Sequence, residues 1–227
     1  GPYVISAFSS GSYLWLAANE NWWQMQPQVR EIMASLFPSN KELITAYEYG
    51  QVDTAITRSV AAAQYKSGIS SLSIAYSTRQ LEVLLLNNSS PEFEDVRVRQ
   101  AIRYAINKNL ISQNVYMGMT INANTPVPPD NWLYYDQENT FTYNPEKAIK
   151  LLEEAGWTDT DGDNVMDRIM DGKKRNLRLR LYVYEDPEND VRFETANMIV
   201  DMLAEIKIKA VVTTMTYGEE EAALKAG

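Results

Sequence analysis

The sequence predicts an α/β protein, because segments with strand and helix periodicity alternate along most of its 227 residues. Hydrophobic residues make up 45% of the chain, which is enough to form the core of one large or two small domains. The clearest pattern lies near the C-terminus, where a strand, a helix and a second strand are separated by short connections. Such a βαβ unit predicts parallel, right-handed pairing of its two strands.

The first elements are a strand and a well-delimited helix. Residues 12–18 are short and rich in aromatic residues, which favours a strand. Ser39 or Asn40 is expected to cap a helix that ends at Gly50. Glycine suits this end because it adopts the left-handed conformation without a steric penalty.

Two further strands are predicted before a polar turn. Residues 53–57 form a short strand in this interpretation. Residues 82–86 are a compact apolar run without helical spacing, which predicts a buried strand. The turn residues 87–91 follow at once and predict a domain boundary. The chain is therefore divided into residues 1–88 and residues 89–227.

Two helices with clear end signals follow the turn. Asp95 lies at the N-cap of the first, which carries an apolar stripe at three- and four-residue steps. The stripe consists of Val98, Ala101, Ile102, Ala105 and Ile106. Asn144 and Pro145 begin the second helix, and Gly156 ends it.

The C-terminal βαβ unit has three predicted elements. In residues 176–184, aliphatic side chains alternate with arginine and tyrosine, which indicates a half-buried strand. Residues 191–206 carry one apolar face and predict a helix. Residues 208–214 provide the second strand.

Composition excludes several classes of function. The chain has no cysteine and no histidine, which rules out zinc fingers, thiolate nucleophiles and imidazole bases. Its net charge of −9 argues against a nucleic-acid partner, because phosphate binding relies on clustered lysine and arginine. The longest apolar run is far shorter than the ~20 residues that cross a bilayer. No cofactor is required by any motif in the sequence.

An acidic loop after the second helix has the spacing of calcium ligands. Four carboxylates and one backbone carbonyl oxygen alternate as in an EF-hand loop. These candidate ligands are Asp159, Asp161, Asp163, Val165 and Asp167. The loop departs from that pattern because Asn164 replaces the usual glycine and the final glutamate is missing. The alternatives are a structural Ca²⁺ site, typical of a calcium-stabilised structural or adhesion module, and a hydrated metal-free turn.

Paired acidic residues raise a third alternative, a carboxylate-dependent hydrolase. Glu153, Glu154 and residues 219–221 would have to supply two carboxylates that face each other across a pocket. Solvated helix faces account for these residues more simply.

Several motifs in order resemble those of one protein family. The most distinctive is the Asp-Val-Arg-Val-Arg-Gln-Ala run followed by Tyr-Ala-Ile-Asn-Lys. The others begin at Gly1-Pro2-Tyr3 and continue at residues 16–23, 48–53, 143–148 and 151–157. Together they resemble the family 5 extracellular solute-binding proteins, which include the oligopeptide, dipeptide and nickel receptors of ABC importers.

This resemblance implies a type 2 periplasmic-binding-protein-like fold with two α/β lobes, mixed sheets and an interlobe cleft. Residues 1–88 would be part of lobe I ending at the hinge, and residues 89–227 the N-terminal part of lobe II. The protein would bind an oligopeptide or other small solute without catalysis and dock on ABC permease subunits. It would be extracytoplasmic, either periplasmic or held at the membrane through an anchor upstream of this internal fragment.

The resemblance also suggests three ligand-binding residues. Asn87 lies at the predicted hinge, and Trp132 and Tyr134 lie in a proline-rich loop that borders the cleft in relatives. Exposed aromatic residues on a loop are typical of a ligand wall. Packing of the two rings onto the lobe is the alternative.

Overall fold

The computed structural model describes residues 1–66, 68, 71–76, 78, 80–128, 131–135, 141–186 and 190–226. The chain forms two compact units, Gly1–Ala62 and Ala63–Gly227. The predicted division into two lobes, residues 1–88 and 89–227, stays a prediction.

The first unit contains an antiparallel sheet and one helix. The strands β1 (Tyr3–Ser9), β2 (Tyr13–Ala18) and β3 (Glu31–Ser35) are paired in the order β1-β2-β3. The helix α1 (Asn40–Glu48) follows them. The β1–β2 turn contains Gly11, whose φ of +72° lies in the left-handed region that favours glycine.

The structure confirms two predicted elements of this unit. β2 matches the strand predicted at residues 12–18. The Ser39 hydroxyl accepts the Glu42 backbone N–H at 3.2 Å, so Ser39 is the N-cap of α1. Gly50 has a φ of +67° just beyond the helix, as its position predicted.

Two predicted strands are wrong. Residues 53–57 and 82–86 have irregular backbone, and neither pairs with a strand in the described part of the chain. A short 3-10 helix, Val60–Tyr65, lies between them. Val83 is 58% exposed and Leu85 66%, so the second segment is not buried either. An apolar run predicts burial, but it becomes a strand only where a neighbouring strand accepts its backbone hydrogen bonds.

Three helices form the first part of the second unit. They are α2 (Val96–Ala105), α3 (Lys108–Asn114) and α4 (Pro145–Glu154). The stripe predicted on α2 is buried against α4, except that Ile106 is the half-buried C-cap. Asn144 caps α4 by accepting the Lys147 backbone N–H at 2.9 Å, as predicted.

A β-hairpin that the sequence analysis missed follows α4. Its strands are β4 (Asp167–Met170) and β5 (Lys173–Asn176), paired antiparallel. Asp171 and Gly172 form the turn with φ values of +52° and +73°. Two central residues with positive φ are typical of the type I′ turn that joins two strands in a tight hairpin.

The βαβ unit forms with the predicted parallel pairing of its strands. β6 (Arg178–Tyr184) and β7 (Lys209–Met215) are parallel neighbours, and α5 (Val191–Glu205) connects them. A last helix, α6 (Tyr217–Ala226), follows β7 and has no buried residue. In the described part of the chain, no helix combines the length and apolar character that crossing a bilayer requires.

The core of this unit lies where α2, α4 and α5 meet the strands. Its largest fully buried apolar side chains come from the helices and from residues that closely follow a helix or precede a strand. They are Val98, Ile102, Leu152, Trp157, Leu177, Leu203, Ile206 and Ile208. Leu177 and Ile208 immediately precede β6 and β7, so this core holds the amino ends of the two strands.

Candidate functional site

The three predicted ligand-binding residues lie on irregular, solvent-facing backbone. Asn87 is exposed, and its side-chain oxygen accepts the Ser89 backbone N–H at 2.9 Å. The Trp132 side chain is 88% exposed, whereas Tyr134 is half-buried. The exposed Trp132 ring is accessible for contact with a ligand or partner.

Two cations at the junction of α2 and α3 hold the segment that precedes the aromatic loop. The Lys108 ammonium donates to the Ala123 carbonyl at 3.1 Å and to the Asn124 side-chain oxygen at 2.6 Å. Arg103 donates to the Asn124 carbonyl at 3.4 Å. Burial, with a smaller contribution from Arg103, lowers the pKa of Lys108. These hydrogen bonds therefore anchor Ala123 and Asn124, which precede the loop that contains Trp132.

The acidic loop brings together three of its four predicted carboxylate ligands. Asp159, Asp161 and Asp167 each place a carboxylate oxygen within 4.8 Å of the others, and we call them the acidic cluster. Asp163 stands apart from this cluster, and its carboxylate accepts the Val165 backbone N–H at 2.9 Å. The acidic cluster contributes one carboxylate oxygen from each of three residues, whereas Ca²⁺ prefers six to eight oxygen ligands.

Two lysines supply positive charge to the acidic cluster. The Lys207 ammonium lies 3.1 Å from Asp159 Oδ2. The Lys174 ammonium lies 3.2 Å from Asp167 Oδ2 and also forms an ion pair with Asp161. These two lysines therefore offset most of the negative charge of the three neighbouring carboxylates.

Asp167 is the one buried charged residue of the acidic cluster, with 1% of its surface exposed. Burial alone would raise the pKa of Asp167, but hydrogen bonds from Thr160 and Lys174 outweigh it and lower that pKa. The backbone N–H of Thr160 donates at 3.0 Å and its hydroxyl at 2.8 Å. The hydrogen bond from Lys207 is the main cause that lowers the pKa of Asp159. The acidic cluster thus lies in the turn between α4 and the hairpin, where Lys174 and Lys207 pair with its carboxylates.

A second polar group lies at the carboxyl end of β6 and was missed by the sequence analysis. Its residues are Glu82, Tyr184, Asp186 and Arg192, which we call the Arg192 cluster. The Arg192 guanidinium donates from Nε to Glu82 Oε2 at 3.0 Å and from Nη2 to Glu82 Oε1 at 2.8 Å. It also lies 4.4 Å from the centre of the Tyr184 ring and 3.5 Å from Asp186 Oδ2.

The Arg192 cluster lies at the carboxyl end of the parallel strand β6. In open α/β sheets, ligands bind outside the carboxyl ends of the strands. Tyr184 is the last residue of β6, and Arg192 is in the first turn of α5. Tyr217, at the start of α6, packs edge-to-face on Tyr184 with ring centres 5.3 Å apart. The carboxyl end of β6 thus combines parallel strands, two aromatic rings and an arginine within an α/β fold.

The family follows from a comparison with known sequences. A family model described as "Bacterial extracellular solute-binding proteins, family 5 Middle" matches residues 1–227. The chain belongs to this family, which confirms the resemblance inferred from its motifs.

Individual relatives agree with this assignment. The chain is 29% identical over 158 residues to heme-binding protein A of Haemophilus influenzae, covering 69% of this chain and 29% of the relative. It is 28% identical over 214 residues to the oligopeptide-binding protein AppA of Bacillus subtilis, covering 92% of this chain and 38% of AppA. The chain thus spans only about a third of the length of these relatives.

Solved structures confirm the predicted fold class. The structure of NikA from Brucella suis in complex with Fe(III)-EDTA matches with a TM-score of 0.81 and 22% identity, covering 100% of this chain and 45% of NikA. AppA from Bacillus subtilis in complex with a nonapeptide matches with a TM-score of 0.61 and 24% identity, covering 98% of this chain and 43% of AppA. The chain therefore has the mixed α/β fold of the family 5 periplasmic binding proteins.

Proposed function

We propose that this chain is part of the substrate-binding component of an ABC importer that captures a peptide or similar small solute without catalysis. The observation that carries the proposal is the family match over all 227 residues. The Arg192 cluster supports it, because this cluster offers hydrogen-bonding and aromatic groups at the carboxyl end of a parallel strand.

The solute of this chain carries a carboxylate in our proposal. The complexes and names of the relatives point to a nonapeptide, Fe(III)-EDTA and heme, and each of these compounds bears carboxyl groups. A guanidinium is the side chain best suited to bind a carboxylate, because its planar donors match the two oxygens. Arg192 presents such donors at the strand end.

The partners and location follow from family membership. We infer docking on ABC permease subunits and an extracytoplasmic location, periplasmic or at the cell surface through an anchor of the complete protein. Nucleic acid is not a partner in this proposal. Residues 1–88 and 89–227 would belong to two lobes, with Asn87 at the hinge and Trp132 and Tyr134 on the wall of the cleft.

The acidic cluster has a structural role in this proposal. Lys174 and Lys207 form ion pairs with all three of its carboxylates, so we infer that the turn folds without a cofactor. The comparisons give no support to the alternative of a calcium-stabilised structural or adhesion module.

Titration calorimetry of the full-length protein with di-, tri- and pentapeptides tests the proposal. We expect binding with a dissociation constant in the micromolar range or below, and chromatography should recover the peptide intact. Trp132→Ala should weaken binding, whereas Trp23→Ala, which removes a 78% exposed indole far along the sequence, should not. Cleavage of the bound peptide would contradict the proposal, as would failure of the whole series to bind.

A further inference from the structure

We propose that Arg192 recognises the solute carboxylate and that Glu82 occupies the same guanidinium when no solute is bound. This inference rests on the proposed function. It goes further because it assigns a recognition residue and makes Glu82 an internal competitor that the solute replaces.

The geometry of the pair is that of carboxylate recognition. Two parallel N–H donors of Arg192 reach the two oxygens of one carboxylate, at 3.0 Å and 2.8 Å. This fork-to-fork arrangement is the preferred way in which arginine binds a free carboxylate. A peptide C-terminus presents the same two oxygens as Glu82 and can take its place without a change in the arginine.

Both partners are accessible to a solute. The side chain of Glu82 is 47% exposed and that of Arg192 is 23% exposed. Because water screens an ion pair that is exposed to this degree, a solute carboxylate can displace Glu82. The guanidinium itself stays in place, because it packs over the Tyr184 ring at 4.4 Å.

The charges around Arg192 require that a solute carboxylate replaces Glu82 instead of binding beside it. Glu82 and Asp186 already place two carboxylates around one guanidinium. A third carboxylate would add repulsion unless Glu82 left, because like charges at close range disfavour each other. Asp186 is the weaker of the two internal partners, at 3.5 Å.

Release of Glu82 would act on a segment without regular structure. Glu82 lies 110 residues from Arg192 along the chain, in the irregular run 81–87 that ends at Asn87. The ion pair is therefore a tie between this run and the first turn of α5. A solute that binds Arg192 would free the run just before the proposed hinge and shift the population of its conformations.

Nuclear magnetic resonance of the arginine Nε–Hε groups tests the exchange directly in the 227-residue chain. Sodium acetate is the probe, and sodium chloride at equal ionic strength is the control. We expect the Arg192 signal to move and saturate with acetate. Arg180 is the matched control, since it is exposed on β6 and has no ion pair among the described residues. Its signal should show only a weak, linear response.

Glu82→Gln separates an exchangeable site from a permanent structural tie. Removing the internal competitor should tighten acetate binding at Arg192 by roughly two- to fivefold, the factor that corresponds to an exposed ion pair. Glu82→Gln/Asp186→Asn should tighten it further. The backbone spectrum shows whether each variant is folded.

An Arg192 signal that moves no more than that of Arg180 would overturn the inference. An unchanged acetate affinity in folded Glu82→Gln would overturn it as well. Either failure leaves peptide binding by the full-length protein intact, so it is distinguishable from failure of the proposed function. Conversely, acetate exchange without peptide binding would refute the proposed function alone.

Discussion

The Lys174 ammonium lies 3.2 Å from Oδ2 of Asp167, whose surface is 1% exposed. Lys174 is on β5 and Asp167 is the first residue of β4, so the ion pair spans the hairpin beside the acidic cluster. A buried carboxylate that loses its counter-charge is destabilising, because desolvation is then uncompensated. Lys174 is therefore expected to be essential to the stability of this turn.

Lys174→Met should lower the denaturant midpoint of unfolding, because Asp161 and Asp167 then repel without their shared cation. Lys173→Met is the matched control, since Lys173 is the exposed neighbour on the same strand and has no ion pair among the described residues. Urea unfolding of both variants measures the difference. Equal midpoints would show that the ion pair does not stabilise the turn.

Calcium should have no effect on the melting temperature of the chain. Lys174 and Lys207 already provide positive charge at the acidic cluster, so a divalent ion would have to displace both. Thermal melts in about 5 mM CaCl₂ and in excess chelator check this, since weak extracellular calcium sites bind at roughly 0.1–1 mM. A clear rise in melting temperature with calcium would instead favour the metal-site hypothesis for this loop.

Acid should destabilise the protein through the acidic cluster. The pKa of Asp159 is lowered below its ordinary value of 3.8, mainly by the hydrogen bond from Lys207. A lowered pKa in the folded state means that the stabilisation is complete above pH 3.8 and is lost as pH falls through the lower, folded-state value.

Asp159→Asn should therefore flatten the dependence of unfolding free energy on pH below about 4. Asp163→Asn is the control, because Asp163 accepts only a backbone hydrogen bond from Val165 among the described residues. Urea titrations at a series of pH values measure both slopes. An unchanged slope in Asp159→Asn would show that its pairing with Lys207 does not stabilise the fold.

The cap of α2 gives a prediction that is independent of the site. Asp95 accepts the Arg97 backbone N–H at 2.8 Å, so Asp95→Ala should cost about 1 kcal/mol of unfolding free energy. Asp95→Asn keeps a side-chain acceptor and should cost less. Equal losses in the two variants would indicate that the ion pair with Arg97, and not the cap, is responsible.

The contact of α4 with the core can be measured in the same way. Leu152 is fully buried, so Leu152→Ala should cost about 2–5 kcal/mol through lost burial and the cavity that remains. Leu110→Ala removes a side chain that is 40% exposed and should cost much less. Comparable losses would contradict the described core.

Local sequence signals correctly predicted the elements that have both clear end residues and a clear hydrophobic periodicity. Asn144, Pro145 and Gly156 delimited α4 correctly, and the alternation at 176–184 gave β6. The run 82–86 failed, because its leucines signal burial but not the partner strand that a ladder requires. The sequence of one segment does not reveal whether a distant segment will pair with it as a strand.

In the candidate sites, too, local spacing was predictable from the sequence, whereas contacts between distant residues were not. Spacing correctly drew attention to the acidic loop, since Asp159, Asp161 and Asp167 do converge. It could not reveal Lys207, which is 48 residues from Asp159 and follows a different helix. Arg192 could have been suspected because it follows the carboxyl end of a predicted strand, but no local pattern connects it to Glu82.

Native mass spectrometry of the full-length protein, purified without added ligand, tests the central claim most directly. The account predicts one small carboxylate-bearing solute per protein molecule, released chemically unchanged on denaturation. A bound solute without a carboxyl group, or a covalent adduct or reaction product in its place, would contradict it.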